Sequence, residues 1–517
     1  MILRDGYTPS LWQSTVQPYV SSSKPDPAAT YDVIIVGGGI TGISTGLMLQ
    51  EAGLRCLVLE ARNLCFGTTG GTTAHLNTLL DTPYSTIEKK FSATAAKQVA
   101  AASAAAIATV RRNIDQHGIQ CGFKEADAYL FAQTKQQQKE LADIFEATAK
   151  AGVSVSLTDA IPFPFTLVQA IKAGGQAKFH PVDYVHGIAT AFEKAGGCIL
   201  QECRVTALEH SPITTVTTPQ GKFKAGHIVY ATHIPPGINL LHLRCSPYRS
   251  YAMACLLDNE AYPQDLAYDM EDPYNYYRTQ TINCVDYLIA GGKDHRTGEE
   301  VNTEHLFTEL EATVRTNFNV KEVVYRWSSQ YFEPADGLPY IGHLPGQPSN
   351  VFVATGFGGN GMTYSHVAAR VLTDMITGKD NELSSLFSPS RIKPIAGFTE
   401  FVAHNAGVAA NFAGKLFSAE KLHELVELAP GEGKIVQHEG KKMGLFKDEG
   451  GQLHAVNPTC THMKCEVKWN AAEQSWDCPC HGARYDCDGK VITGPADHSL
   501  EQINLAALEE KARSAAS

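Results

Sequence analysis

The sequence predicts an α/β domain of the Rossmann type, an α+β domain interleaved with it, and a small all-β domain at the C-terminal end. Three observations predict this. A β-branched run, Asp32 to Val36, leads into a glycine-rich turn and a helical pattern. Strand-like stretches rich in tyrosine and arginine fill the middle of the chain. From Pro430 the style changes to short strands and turns, and five of the 13 cysteines fall between Cys460 and Cys487.

The 517 residues suffice for several domains. With 44% apolar and 19% charged residues, the composition is that of a folded globular protein. A net charge of −11 argues against nucleic-acid binding but is compatible with an acidic electron-transfer face. The first residues lack the basic and apolar regions of a signal peptide. No window approaches the ~18 apolar residues that span a bilayer. A soluble, cytoplasmic protein with no membrane span is expected. Eight cysteines lie outside the C-terminal cluster without paired spacing, and the expectation for them is reduced, buried thiols.

The run Asp32 to Val36 reads as a buried parallel strand. Gly37-Gly38-Gly39-Ile40-Thr41-Gly42 follows, then a helix to Gly53, then a second strand from Arg55 to Leu59 that ends at Glu60. In G-x-G-x-x-G, Gly37 permits a tight turn, Gly39 lets the backbone approach a pyrophosphate, and Gly42 allows close helix–strand packing. Phosphates would sit on the helix N-terminus beside Ile40 and Thr41. Glu60, 18 residues beyond Gly42, is placed to hold a ribose hydroxyl, with Ala61 and Arg62 following it.

This motif alone does not separate FAD from NAD. The next segment, Gly67 to Leu76, contains Thr68, Thr69, Thr72, Thr73 and Ala74. It resembles the flavin-contacting loop of the D-amino-acid-oxidase-like (glycine/sarcosine oxidase) superfamily. Asp336-Gly337-Leu338-Pro339-Tyr340-Ile341-Gly342 is similar to that family's Asp-Gly-Leu-Pro segment. Val351 to Met362, with a helix following from about Ser365 to Ile376, resembles its C-terminal flavin signature. The resemblance implies that Gly356, Gly358, Gly359, Asn360, Gly361 and Met362 contact the flavin, the helix dipole stabilising charge on its pyrimidine ring. Gly356 to Gly361 is also a second literal G-x-G-x-x-G. No strand ending in an acid follows its helix, so it is not read as a nicotinamide site.

Between these landmarks, Thr82 to Gly118 and Lys135 to Gly152 read as helices, and Cys198 to Leu208 and Lys224 to Thr232 as strands. The resemblance puts Val205 at the adenine. It also implies a sheet covering the flavin, on which Tyr and Arg hold substrate. Arg249, Tyr251, Tyr276, Tyr277, Arg278, Lys293, His295 and Trp327 are candidates, with Tyr277, Arg278 and Lys293 taken as the substrate contacts. Relatives that attach flavin covalently do so at positions that are Gly71 and Ser329 here, so the FAD is expected to be non-covalent, although His75 lies near.

In the C-terminal domain, Cys460-x-His462 is followed after 15 residues by Cys478-x-x-His481. Zinc also takes two Cys and two His. Two His on one iron and two Cys on the other is the Rieske arrangement, and the spacing fits that family. Similarity to respiratory Rieske proteins then implies a disulfide between Cys465 and Cys480. It implies a hydroxyl donated from Tyr485 to a ligand sulfur, and Ala483 where those proteins have a cluster-bonding serine. A reduction potential below theirs follows.

The whole chain therefore resembles FAD-dependent oxidoreductase–Rieske fusions. The expected architecture is a Rossmann-type FAD-binding domain with an interleaved α+β substrate domain, plus an all-β Rieske domain. Residues 1–29 form an N-terminal extension and 30–385 the oxidoreductase, with FAD segments at 30–80, 175–235 and 325–385. Residues 386–427 make a linker with a helix, Phe401 to Phe417, and 428–510 the Rieske domain. The implied activity is oxidation of an amine or amino-acid C–N bond. Electrons would pass from FAD to one [2Fe–2S] cluster and on to an external acceptor, a protein or quinone. Two alternatives stand: an external donor loading the cluster to reduce the flavin, and a non-catalytic carrier or sensor. Homo-oligomerisation is left open.

Overall fold

The computed structural model describes residues 3–210, 213–391, 420–421, 428–438 and 440–505. The strand Thr30–Val36 has four consecutive buried residues at its end and sits near the centre of the first sheet. Gly221–Tyr230 and Cys56–Leu59 flank it in parallel. Val351–Thr355 and Cys198–Leu200 extend the parallel run on either side, and Tyr340–His343 adds an antiparallel edge.

Strand alternation distributes the apolar side chains over two faces. Val33, Ile35 and Val58 pack with the helices Ile40–Glu51, Ala93–His117, Pro181–Lys194 and Gly361–Ile376. Ile34, Val36, Leu57 and Leu59 pack on the opposite face with Phe223, Ile228 and Val353. Each fully buried Leu, Ile or Val contributes roughly 1.5–3 kcal/mol.

The helices begin and end where the sequence supplies caps. Ser92 accepts from the Ala95 N–H to start Ala93–His117, and Gly118 ends it at φ +63°. Thr134 and Gln137 form a capping box on Lys135–Ala151. Gly361–Ile376 starts four residues earlier than expected.

The second sheet has nine strands. The long strands Val320–Pro334, Cys245–Leu257, Val285–Arg296 and Tyr276–Ile282 lie side by side, and Leu266–Asp269, Lys124–Ala132, Gln169–Lys178 and His75–Leu76 complete the path. The helix Thr303–Asn317 covers one face through Phe307, Leu310 and Val314. The other face looks onto the first domain.

One expected strand is shorter than the sequence suggested. Cys198–Leu200 leaves the sheet at Leu200, because the Glu202 and Cys203 N–H groups turn to donate to Arg62 O (3.0 Å) and Glu60 O (2.8 Å). Ala207–Glu209 then rejoins the same sheet from its hairpin with Thr214–Thr218, which pairs with Gly221–Tyr230.

The N-terminal residues do not trail. Leu11 and Trp12 are fully buried, and Trp12 Nε1 donates to Thr72 O at 2.5 Å. Beyond residue 428 the chain forms two small β-sheets, built on Gly433–His438, Lys441–Lys447 and Leu453–Val456 and on Lys468–Asn470, Ser475–Asp477, Arg484–Tyr485 and Val491–Thr493. The helix expected at Phe401 to Phe417 lies outside the described residues. Among the described residues no helix is long and apolar enough to cross a membrane.

Candidate active site and iron–sulfur centre

A cavity of about 460 Å³ runs between the two large sheets. At one end is the glycine turn. Gly37 has φ +115°, and a Cβ there would lie 2.5 Å from Ala231 O. A Cβ on Gly42 would lie 1.9 Å from Gly37 O, so only glycine lets the helix sit this close to the strand. Gly39 gives the helix Ile40–Glu51 no capping side chain, while Thr69 Oγ1 accepts the Ile40 N–H at 3.1 Å. Gly37, Gly39, Ile40 and Thr41 all line the cavity, and Gly42 does not.

The Glu60 carboxylate accepts from the N–H groups of Gly38 (2.6 Å) and Arg62 (2.8 Å), and burial pushes its carboxyl up. Ala61, Arg62 and Val205 share that wall. The Thr68–Gly71 turn follows, fixed by Thr68 Oγ1 donating to Gln330 O at 2.8 Å. Thr68, Thr69, Thr72 and Thr73 line the cavity. Ala74 is fully buried behind the loop, where Arg278 donates to its carbonyl, and does not reach the wall. Gly71 and Ser329 meet: a Cβ on Gly71 would lie 2.7 Å from Ser329 Oγ.

At the other end, Gly356, Gly358, Gly359, Asn360, Gly361 and Met362 line the cavity ahead of the helix Gly361–Ile376, which has no capping side chain. Two helix N-termini whose N-cap residues supply no capping side chain thus open onto one elongated cavity. With the close-packed glycine turn, they fit an FAD laid between them.

The three residues expected to touch substrate do not line this cavity. Tyr277 packs its ring against Phe165 and Phe318 on the far face of the sheet. Successive strand residues point to opposite faces, so Tyr276 takes the cavity face. Arg278 is fully buried, and its two terminal nitrogens donate to Thr73 O, Ala74 O, Phe179 O and Gln280. Lys293 pairs with Glu309 at 3.9 Å, on the helix side. Arg249 is buried among acids of the C-terminal domain, and Trp327 Nε1 donates to Gly71 O at 2.7 Å. The residues of the second sheet that do line the cavity include His75, Ser250, Tyr268, Tyr276, Asp294 and Tyr331, with Tyr274 from the turn before Tyr276 and Asn77 and Asp81 from the segment after His75–Leu76. Of these, Tyr276 and His75 were noted in the sequence. The others carried no motif, and only the period-2 phase of the strands could have pointed to them.

The cysteine–histidine loops lie in the same C-terminal domain whose residues 492–498 reach this cavity, though none of the loop residues lines it. Cys460 and Cys478 are buried and hydrogen-bond through their sulfurs, and that contact is the first cause pulling the Cys460 thiol below its ordinary value. The His462 and His481 rings are 5.1 Å apart. Cys465 and Cys480 are joined in a disulfide, and the Tyr485 hydroxyl lies 3.2 Å from Cys460 Sγ. Ala483 is fully buried. Two adjacent thiols beside two adjacent imidazoles fit the donor set of a Rieske cluster. The eight cysteines outside the C-terminal domain are free, and most of them are buried.

This domain docks tightly. His462 Nε2 donates to Gly237 O at 3.1 Å, and the His242 ring lies 4.7 Å from His462 and 5.8 Å from His481. Gln330 Nε2 donates to Gly482 O at 2.8 Å. Buried Glu473 accepts from the N–H groups of Ser328 (3.1 Å) and Tyr7 (2.9 Å) and faces Arg249 at 3.5 Å. Asp477 lies 3.7 Å from Arg249 and 3.0 Å from Arg484. Residues Ile492 to Gly494 and Ala496 to His498 form part of the cavity wall itself. His498 O accepts from Thr461 Oγ1 at 2.6 Å, which ties that wall to the ligand loop.

Fold and site together define a flavin oxidoreductase carrying a Rieske-type domain. Comparison with known families agrees. The FAD dependent oxidoreductase model matches residues 32–375, and the Rieske [2Fe-2S] domain model matches residues 420–504. The chain belongs to the FAD dependent oxidoreductase family, with a Rieske domain at its C-terminal end. It is 34% identical over 478 residues to the Rieske 2Fe-2S iron-sulfur protein YhfW of Bacillus subtilis, covering 92% of this chain and 93% of that protein. It is 24% identical over 393 residues to the gamma-glutamylputrescine oxidoreductase of Escherichia coli, covering 72% and 89% respectively. Among solved structures, glycine oxidase from Geobacillus kaustophilus superposes with a TM-score of 0.59 at 19% identity, covering 70% of this chain and 99% of that one.

Proposed function

We propose that this enzyme oxidises the C–N bond of a small amine or amino acid, and that the electrons leave through its own Rieske centre to an external one-electron acceptor, a protein or quinone. The observation that carries this reading is the shared wall. Loop 492–498 of the Rieske domain closes the cavity that also holds the glycine turn and the two open helix N-termini. In balance, the substrate loses two electrons and two protons to become an imine, and water releases a carbonyl compound and an amine or ammonia. When bound, FAD supplies the two-electron acceptor and the cluster a one-electron carrier.

The chain's own residues would do the rest. Gly37, Gly39, Ile40 and Thr41 cradle the pyrophosphate, and Glu60 and Val205 hold the adenosine end. Thr68, Thr69, Thr72 and Thr73 flank the flavin, and Asn360 to Met362 aim a helix N-terminus at it. Cys460, His462, Cys478 and His481 ligate the cluster, with Tyr485 donating to Cys460 Sγ. Both the E. coli relative, which by its name acts on gamma-glutamylputrescine, and the glycine oxidase support a C–N substrate.

An anaerobic panel of amines and amino acids tests the reading, following flavin absorbance and the cluster's EPR signal together. One compound should bleach the flavin and then bring up the reduced-cluster signal. If no compound bleaches it, while reduced ferredoxin fills the cluster and then the flavin, current runs inward and the proposal fails.

A further inference from the structure

The wall that faces the first domain from the second sheet is acidic and aromatic. Asp294 accepts from the Tyr331 hydroxyl at 2.7 Å and from Ser250. Asp81 accepts from the Tyr274 hydroxyl at 3.0 Å and from the Gly359 N–H at 2.6 Å. The Tyr276 hydroxyl lies 2.8 Å from Ser250 Oγ, and its ring lies 5.7 Å from those of Tyr274 and His75. Glu333 stands at the same end, its Oε1 3.6 Å from where a Cβ on Gly358 would be.

Burial pushes all three carboxyls up, and Asp81 pushes Asp294 and Glu333 further. The cavity's arginines, Arg62 and Arg204, lie with Glu60 at the glycine-turn end. Among the described residues lining the cavity there is no lysine. A second observation points the same way. His75 Nδ1 is 2.7 Å from the Tyr268 hydroxyl, while its buried Nε2 has no partner in the chain, so a bound molecule can take it.

Buried carboxyls without a cation are costly. Lys90 draws Glu333 back down, but Asp81 and Asp294 find no such cation among the described residues lining the cavity, so their missing charge is left to whatever fills it, and tyrosine faces suit a cation. A substrate carboxylate at this wall would meet like charge instead. The nitrogen that loses electrons must present a lone pair, so it is not the cation. We infer that the substrate is an alkyl diamine or polyamine: one nitrogen reacts unprotonated, and a second, protonated nitrogen is held by Asp81 and Asp294 within the tyrosine cage. This rests on the amine-oxidation reading above.

The test uses the holoenzyme with 1,4-diaminobutane, n-butylamine, 4-aminobutanoate and 2-aminobutanoate, following flavin bleaching in stopped flow. The diamine should reduce the flavin at least about tenfold more efficiently than n-butylamine, the effect of one charge-assisted contact, and the two carboxylates should not reduce it. Asp81→Asn and Asp294→Asn should each erase that preference. Calorimetry with butyltrimethylammonium, which cannot turn over, should show binding to the wild type and loss in both variants. If the aminobutanoates reduce the flavin as fast as the diamine, or if the variants keep the preference and the binding, the inference falls while amine oxidation stands. If nothing in the panel reduces a flavin that dithionite does reduce, amine oxidation itself falls and this inference with it.

Discussion

Asp294 has its carboxyl raised to about 7, chiefly by burial. The charged groups facing it are Asp81 and Glu333, with Ser250 and Tyr331 as hydrogen-bond donors. Raised by its surroundings, the carboxyl is neutral below about 7 and charged above it. A cationic substrate should therefore bind better as pH rises through 7, with KM falling by at most about tenfold per pH unit, the limit for one proton. Asp294→Asn should flatten that slope; a slope unchanged in the variant would assign it elsewhere. At the cluster, buried Ala483 offers no hydroxyl to the sulfurs. Fewer hydrogen bonds to sulfur lower the potential, so Ala483→Ser should raise the midpoint in a redox titration followed by EPR. A midpoint that stays or falls would contradict this. The glycine turn, Glu60 and the paired cysteine–histidine spacing were legible because each is demanded by local geometry or by the coordination chemistry that such a spacing serves. The substrate wall was not. Tyr276 and Tyr277 are adjacent and identical in type, and only the pairing of their strand decides which faces the cavity.

At the scale of elements, the strands and helices around the glycine turn could be read because burial on both sheet faces leaves a continuous apolar run. The short helix Leu11–Ser14 could not, since four residues carry no periodicity. Yet this element props the flavin loop. Ser10 Oγ donates to Gly70 O at 2.6 Å, Gln13 Nε2 donates to Cys65 O at 2.9 Å, and the Trp12 ring packs on His180, 4.9 Å between centroids. Trp12→Ala should cost about 3–5 kcal/mol in urea unfolding and weaken FAD retention. Full stability in that variant would show the element to be ornamental.

Across the whole molecule, the sequence placed three domains but could not say how they meet, because an interface built from buried charges leaves no apolar signature. Arg249, Arg484, Glu473 and Asp477 are all at most 2% exposed. Removing one partner strands the others, so Glu473→Ala should destabilise the chain by about 3–5 kcal/mol, measured by chemical denaturation with both cofactors' absorbance as probes. Loss of the cluster signal alone, with the flavin transition unmoved, would mean that the domains unfold independently.

That buried lattice bears on ancestry. Two proteins joined by a tether can part again when a stop codon falls between them. This chain cannot be divided so simply, since a shortened product would keep Arg249 sealed in its sheet with no acid to meet and would open the flavin's chamber to water along the face where residues 492–498 now stand. The halves now share one interior, so neither can be cut away without opening the other.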